Sequence, residues 1–469
     1  MGQNSTTKKM ITTGGFIALS GSMVATVYGY PAFASSGFAL VFYLLLAGIF
    51  FFLPTALISA EMATGDGWQD GGVYKWVGTA FGPRWGFAAI FFQWFQITIG
   101  FITMLYFITG ALSYLFDAPV INENQLYKFL IVMALFWVIT YLNLKGAGFI
   151  SKITKISFSA GIILPALLLI VMAIIYTIGG NKIEVVMNWD TFIPDFTKIK
   201  TIVILVAFML SYLGIEASAV HVNELDNAKK NYPIAIMILA FGAIVMNIFG
   251  ALSVGFVVPI DKIELNVGIM QAFEHYLNLY HLKWMLPVTA FLLALGAFGE
   301  VAAWVSGPIK GLQNTAEDGL LPVRFKKLNK NGISVSLVIA QGIIVSIWAA
   351  LLTFGGTGGN LSFLLAMALT VVSYLTMYIL LYFTYFRLKS KHGDVPRAYI
   401  VGGNFGRFII PFLGLLMSVG AFIIAFFPPS TIKDSEIKSY EMILIIGFIV
   451  IFFLPHIIYH FRPNKKVKN

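Results

Sequence analysis

A carboxylate, Glu216, stands inside an apolar run that continues as FMLSYLGIEASAVHVNELDNAKKNYP, Phe208 to Pro233. An acidic side chain at the centre of a membrane helix costs about 2.5–3.5 kcal/mol, so such residues tend to mark a pathway or a gate. Gly214, two positions earlier, weakens the helix where free backbone groups would be needed to hold something. Together they predict a broken membrane helix that forms half of a small-molecule site. Glu300 is a second acidic group within an apolar run. It reads equally as part of a path or proton linkage, or as a group tied to Trp304 one turn later or to a neighbouring helix. Tyr374 and Tyr378 are spaced i, i+4 and share one helix face. With Tyr28 they are candidates to close a gate with a ring and bond a carboxylate with a hydroxyl. Against this stands ordinary packing, because the chain has 20 tyrosines.

Other chemistry is thinner. Thr26, Ser211 and Ser218 flank the expected breaks and offer hydroxyls to backbone or substrate. His221 and Glu224 are spaced i, i+3, but no third metal ligand is near, so a helix-end polar pair is expected rather than a metal site. Gly307, Pro308, Lys310 and Gly311 read as a helix end with a hinge, and Asp66 and Asp70 as solvated loop residues. A phosphate-cradling loop, a zinc-protease histidine pair and a nucleophile elbow are all missing from the sequence. No enzyme activity, cofactor or ATP-driven step is expected.

The elements that must position these residues are membrane helices. Of 469 residues 58% are hydrophobic and only 11% charged, which excludes a soluble globular domain. The chain has no cysteine, so disulfides and thiolate metal sites are excluded while the redox compartment is left open. A net charge of +10 would suggest nucleic acid in a soluble protein. Here lipid is the expected partner and the distribution of Lys and Arg carries the meaning. Apolar windows predict about twelve spans, at 12–36, 38–61, 84–115, 126–145, 152–178, 200–222, 232–258, 283–309, 335–354, 360–386, 406–428 and 440–460. With the N-terminus inside, 23 of the 31 basic residues fall on the inner side and 8 on the outer. That bias predicts both termini in the cytoplasm. No loop is long enough for a soluble domain. The chain therefore reads as one polytopic domain, with an N-terminal tail 1–11, a core 12–386, two further helices within 387–460 and a short basic tail 461–469.

The first span is interrupted at Val24-Ala25-Thr26-Val27-Tyr28-Gly29-Tyr30-Pro31 and the sixth at Leu213-Gly214-Ile215-Glu216. Two broken helices five spans apart point to an inverted-repeat transporter with its site near the midplane. The outer half of the first span would begin there with free N–H groups that suit a carboxylate. The outer half of the sixth would end there with free carbonyls, around Met209 to Leu213, that suit an ammonium. Such a site recognises an amino acid without choosing among them.

Five stretches carry a resemblance: YGYPAFASSGFALVF (28–42), EMATGDGWQDGGVYKWVGTAFGPRWGFAAI (61–90), YLGIEASAVHVNELDNAKKNYPIA (212–235), GEVAAWVSGPIKGLQNTAEDGLLP (299–322) with LNKNGI (328–333), and SFLLAMALTVVSYLTMYILL (362–381). They resemble the bacterial glutamate/γ-aminobutyrate antiporters of the amino acid–polyamine–organocation superfamily. The resemblance implies an all-α membrane protein of about twelve helices, built as a five-plus-five inverted repeat with discontinuous first and sixth helices and two extra helices. It also implies acid-activated exchange of external glutamate for internal γ-aminobutyrate across the bacterial cytoplasmic membrane. A cytoplasmic glutamate decarboxylase would be the metabolic partner and acid resistance the result. The same fold could instead carry another amino acid and its amine, or act as a channel or sensor. Thr26, Tyr28, Gly214, Glu216, Ser218, Tyr374 and Tyr378 are the expected substrate contacts, with Glu216 and Glu300 as gating or proton-linked groups. Two carboxylates in one apolar pocket cannot both ionise cheaply. Glu216 facing the side chain of bound glutamate would therefore admit only the singly protonated form. Alternatively, Glu216 merely bonds backbone N–H groups at the break. The sequence departs from the superfamily at Val24-Ala25-Thr26, where many members have Gly-Ser-Gly. It also ends shortly after its last helix, where some members carry a tail that plugs the cytoplasmic mouth.

Overall fold

The computed structural model describes residues 12–463 except 69–71, 356–358, 430–431 and 433. Among these residues eleven helices are long and apolar enough to cross a membrane. In chain order, as the second to twelfth spans, they are Ala39–Ala63, Pro83–Leu115, Gln125–Asn143, Ala147–Ile178, Thr201–Val222, Ala228–Gly255, Lys283–Glu317, Val335–Phe354, Leu364–Lys391, Phe405–Ile424 and Ile437–His460. The predicted first span is divided into Thr13–Val24 and Tyr30–Ala34. Counting it as a crossing makes the number even, so the chain returns to the face it started from, called here the terminal face. Burial separates the inner helices from the outer ones. The best apolar window of the third span is 94% buried, against 22% for the fourth, eleventh and twelfth, whose apolar surfaces are left to lipid.

The first break is an extended turn at Ala25, with φ −87° and ψ 90°. Pro31 then falls in the first turn of Tyr30–Ala34, where a missing N–H is harmless, so it starts a helix rather than kinking one. In the sixth span an α-helix, Leu205–Leu210, gives way through a turn to a ten-residue 3₁₀ helix, Ile215–Glu224. Gly214 sits between them at φ 108°, a left-handed conformation that side chains other than glycine's rarely adopt. The two interrupted helices that the sequence predicts are both present.

Three elements differ from expectation. The eighth helix does not end near Pro308 but runs through it to Glu317, since the buried neighbours of a membrane helix can hold it together past a proline. Val73–Phe81 and Gly268–Leu279 form amphipathic helices between spans, each too short to register as an apolar window. The fifth and eighth spans touch at Gly161 and Gly296, where a Cβ on either would collide with the backbone of the other. Small residues permit that approach, a recurrent device where lipid gives helices no hydrophobic reason to associate.

Candidate functional site

The third, sixth and tenth spans meet at Glu216, which is fully buried. Its Oε1 accepts from the Tyr374 hydroxyl at 2.5 Å and from Gln93 Nε2 at 2.8 Å. Its Oε2 accepts from the Tyr378 hydroxyl. The same Tyr378 hydroxyl accepts the Gly214 amide at 2.7 Å. The carboxylate thus reaches the break by relay, through the Tyr378 hydroxyl that holds the Gly214 amide. A buried carboxylate is tolerable only when donors replace its water, and here three side chains do so.

Thr26, Tyr28 and Tyr374 line a cavity between the two breaks, with Gln96, Glu300 and Trp304. Its volume is about 20 Å³, room for about one water, so an amino acid is admitted only if the walls part. Glu300 is buried, and its Oε1 has no hydrogen-bond partner among the described residues. Trp304 Nε1 has none either. Of the alternatives for Glu300, the tie to Trp304 is therefore not formed. The Trp304 indole instead lies where a Cβ on Gly214 would stand. It also meets the Tyr374 ring edge-on, with centroids 6.2 Å apart.

Gly214, Glu216, Ser218 and Tyr378 are not part of the cavity lining. Ser211 and Ser218 return their hydroxyls to the carbonyls of Phe208 and Ile215. Two carbonyls expected to be free already accept amides, Met209 from Tyr212 at 3.1 Å and Leu210 from Leu213 at 3.3 Å. The turn closes on itself and offers a ligand less than helix polarity alone suggests. His221 Nδ1 lies 3.4 Å from Lys310 Nζ, which joins the sixth and eighth spans. The Glu224 side chain lies outside the described residues, as does Asp70. Asp66, expected to be solvated, is exposed and pairs there with Lys229 at 2.8 Å.

The sequence reading missed two features. Gln93 was visible as a polar residue in an apolar span, one turn from Gln96, but nothing local shows that it faces Glu216. Glu61, at the end of the second span, is buried. Its Oε1 binds Lys389 Nζ at 2.6 Å and lies 3.4 Å from Arg397. Its Oε2 accepts from the Tyr385 hydroxyl and the Val401 amide, each at 2.9 Å. A bridge between Gly65 and Arg397 continues the contact. On the terminal face this clasp ties the second span to the end of the tenth and to the segment that follows it.

A helical bundle with two interrupted spans around a buried polar cavity is the architecture of a multi-pass membrane carrier. Residues 11–453 match the model of the amino acid permease family, and the chain belongs to that family. It is 46% identical over 461 residues to glutamate/gamma-aminobutyrate antiporters of two Lactococcus lactis subspecies, covering 98% of this chain and 92% of theirs. It is 33% identical over 450 residues to an uncharacterized transporter of Legionella pneumophila, covering 96% of each chain.

Proposed function

We propose that this protein is an amino acid antiporter that exchanges external glutamate for internal γ-aminobutyrate by alternating access. The observation that carries the reading is the unpartnered Glu300 oxygen beside a cavity bounded by both helix breaks, in a chain 46% identical to antiporters of that name. Glutamate and γ-aminobutyrate share an ammonium group, and Glu300 is its partner in this reading. A fully ionised glutamate brings two carboxylates toward that acid, whereas the singly protonated form brings one. Like charges in an apolar site cannot both persist cheaply, so exchange is favoured in acid. Glu216 positions Tyr374, whose ring forms part of the wall, and Tyr28 and Thr26 face the substrate from the other break.

The five-plus-five inverted repeat, with its halves rocking about the breaks, supplies the motion. Both termini lie in the cytoplasm, a placement supported by the basic residues crowded on that side. A cytoplasmic glutamate decarboxylase consumes the imported substrate and a proton, and acid resistance follows. Proteoliposomes loaded with γ-aminobutyrate should take up labelled glutamate at acidic external pH. Uptake of equal size from empty vesicles would refute exchange. A cavity lined by an acid also suits a different amino acid and its decarboxylated amine, because a bound ammonium would supply the partner that Glu300 lacks. Competition by a panel of amino acids and amines separates the two readings, because only the proposed pair should compete fully.

A further inference from the structure

We infer that Met367 is the threshold through which substrate passes between the outside and the site. Three cavities lie in line from the face opposite the termini to the helix breaks. The outermost, about 290 Å³, is bounded by Ala32 of the first span, Val203 and Ala207 of the sixth, Met367 of the tenth and Tyr440 of the twelfth. The middle one, about 10 Å³, shares Ala32, Ala207 and Met367 with it. The innermost is the Glu300 cavity, which shares Thr26, Tyr28, Leu210 and Met367 with the middle one. Among the described residues, Met367 is the one that lines all three. It is buried, and it stands where an open chamber narrows to room for about one water. Methionine is unbranched, with three rotatable bonds, so this side chain can swing aside without a helix moving. A thin side-chain gate of this kind lets the outer chamber communicate with the site while the clasp at Glu61 still joins the second and tenth spans on the terminal face.

The inference rests on the exchanger reading of the inner cavity, but its test does not need transport. The chain has no cysteine, so single cysteines report cleanly. Ile97→Cys places a thiol in the inner cavity and Ile204→Cys one in the outer chamber. Both are exposed to a membrane-impermeant thiol reagent on the external face of right-side-out vesicles, and labelling is followed by the mass of the intact protein. Ile204→Cys should label quickly, and Ile97→Cys slowly. Adding Met367→Ala should speed labelling of Ile97→Cys by about tenfold or more, the effect of lowering one barrier on the route. Adding Met367→Leu, which conserves volume, should leave it slow. Unchanged Ile204→Cys labelling in the Met367→Ala background shows that the fold is intact. Equal labelling of Ile97→Cys with Met, Leu and Ala at 367, or labelling only from the terminal face, would overturn the gate. Loss of glutamate–γ-aminobutyrate exchange in the native chain would sink the exchanger reading without touching these rates.

Discussion

At the scale of single residues, the two buried acids of the site are used differently. Glu216 has its oxygens occupied by Tyr374, Tyr378 and Gln93, while Glu300 has an oxygen with no described partner beside the cavity. Replacing Glu300 by Gln removes the charge but hardly the volume. A hydrogen bond to a charged group contributes about 1.5–3 kcal/mol, so half-saturating concentrations of both substrates should rise roughly ten- to a hundredfold. Counterflow kinetics measure this, and equal loss for both substrates is expected because both carry the ammonium that Glu300 holds in this account. Tyr378→Phe should act otherwise. It strips the Gly214 amide of its acceptor, so stability should fall by about 1–3 kcal/mol, read from thermal unfolding in detergent. Glu216 was legible in the sequence as an acid at a weakened helix. What it touches was not, because its partners are 123, 158 and 162 positions away along the chain. Helix spacing showed that Tyr374 and Tyr378 share a face, but only packing shows that the face meets Glu216.

At the scale of elements, the sixth span depends on one glycine for two reasons: its left-handed backbone and the indole of Trp304 lying against it. Gly37 is also left-handed, but a Cβ there would meet only Ile260 at ordinary contact distance. Gly37→Ala should therefore cost about 1–2 kcal/mol for the backbone alone. Gly214→Ala should cost clearly more and also impair exchange. Parallel unfolding curves measure the difference, which combines the contact with Trp304 and the larger φ at Gly214. Apolar windows located the spans because lipid and core both demand continuous hydrophobic runs. They could not reveal the 3₁₀ winding of Ile215–Glu224, which depends on how that half packs. Nor did they reveal Val73–Phe81 or Gly268–Leu279, whose apolar residues cover only one face. The proline at position 31 was legible as part of a break, but that it starts the second half of the span was not, because its role depends on where the following helix begins.

At the scale of the whole molecule, the clasp at Glu61 joins the second span to the tenth and to the segment after it. Removing one partner of a buried ion pair leaves the other charge uncompensated, so Glu61→Ala should destabilise the protein by about 3–5 kcal/mol. If the clasp also holds the terminal face closed, a mild variant such as Lys389→Gln should retain the fold yet admit thiol reagents from that face more readily. The central claim concerns where the ammonium binds, and an electron cryomicroscopy structure with γ-aminobutyrate bound tests it most directly. The predicted result places the ligand nitrogen about 3 Å from the Glu300 carboxylate, in a widened cavity between the two breaks, with Glu216 still held by Tyr374, Tyr378 and Gln93. A ligand nitrogen on Glu216, with Tyr374 turned away, or a ligand bound outside that cavity, would contradict the account.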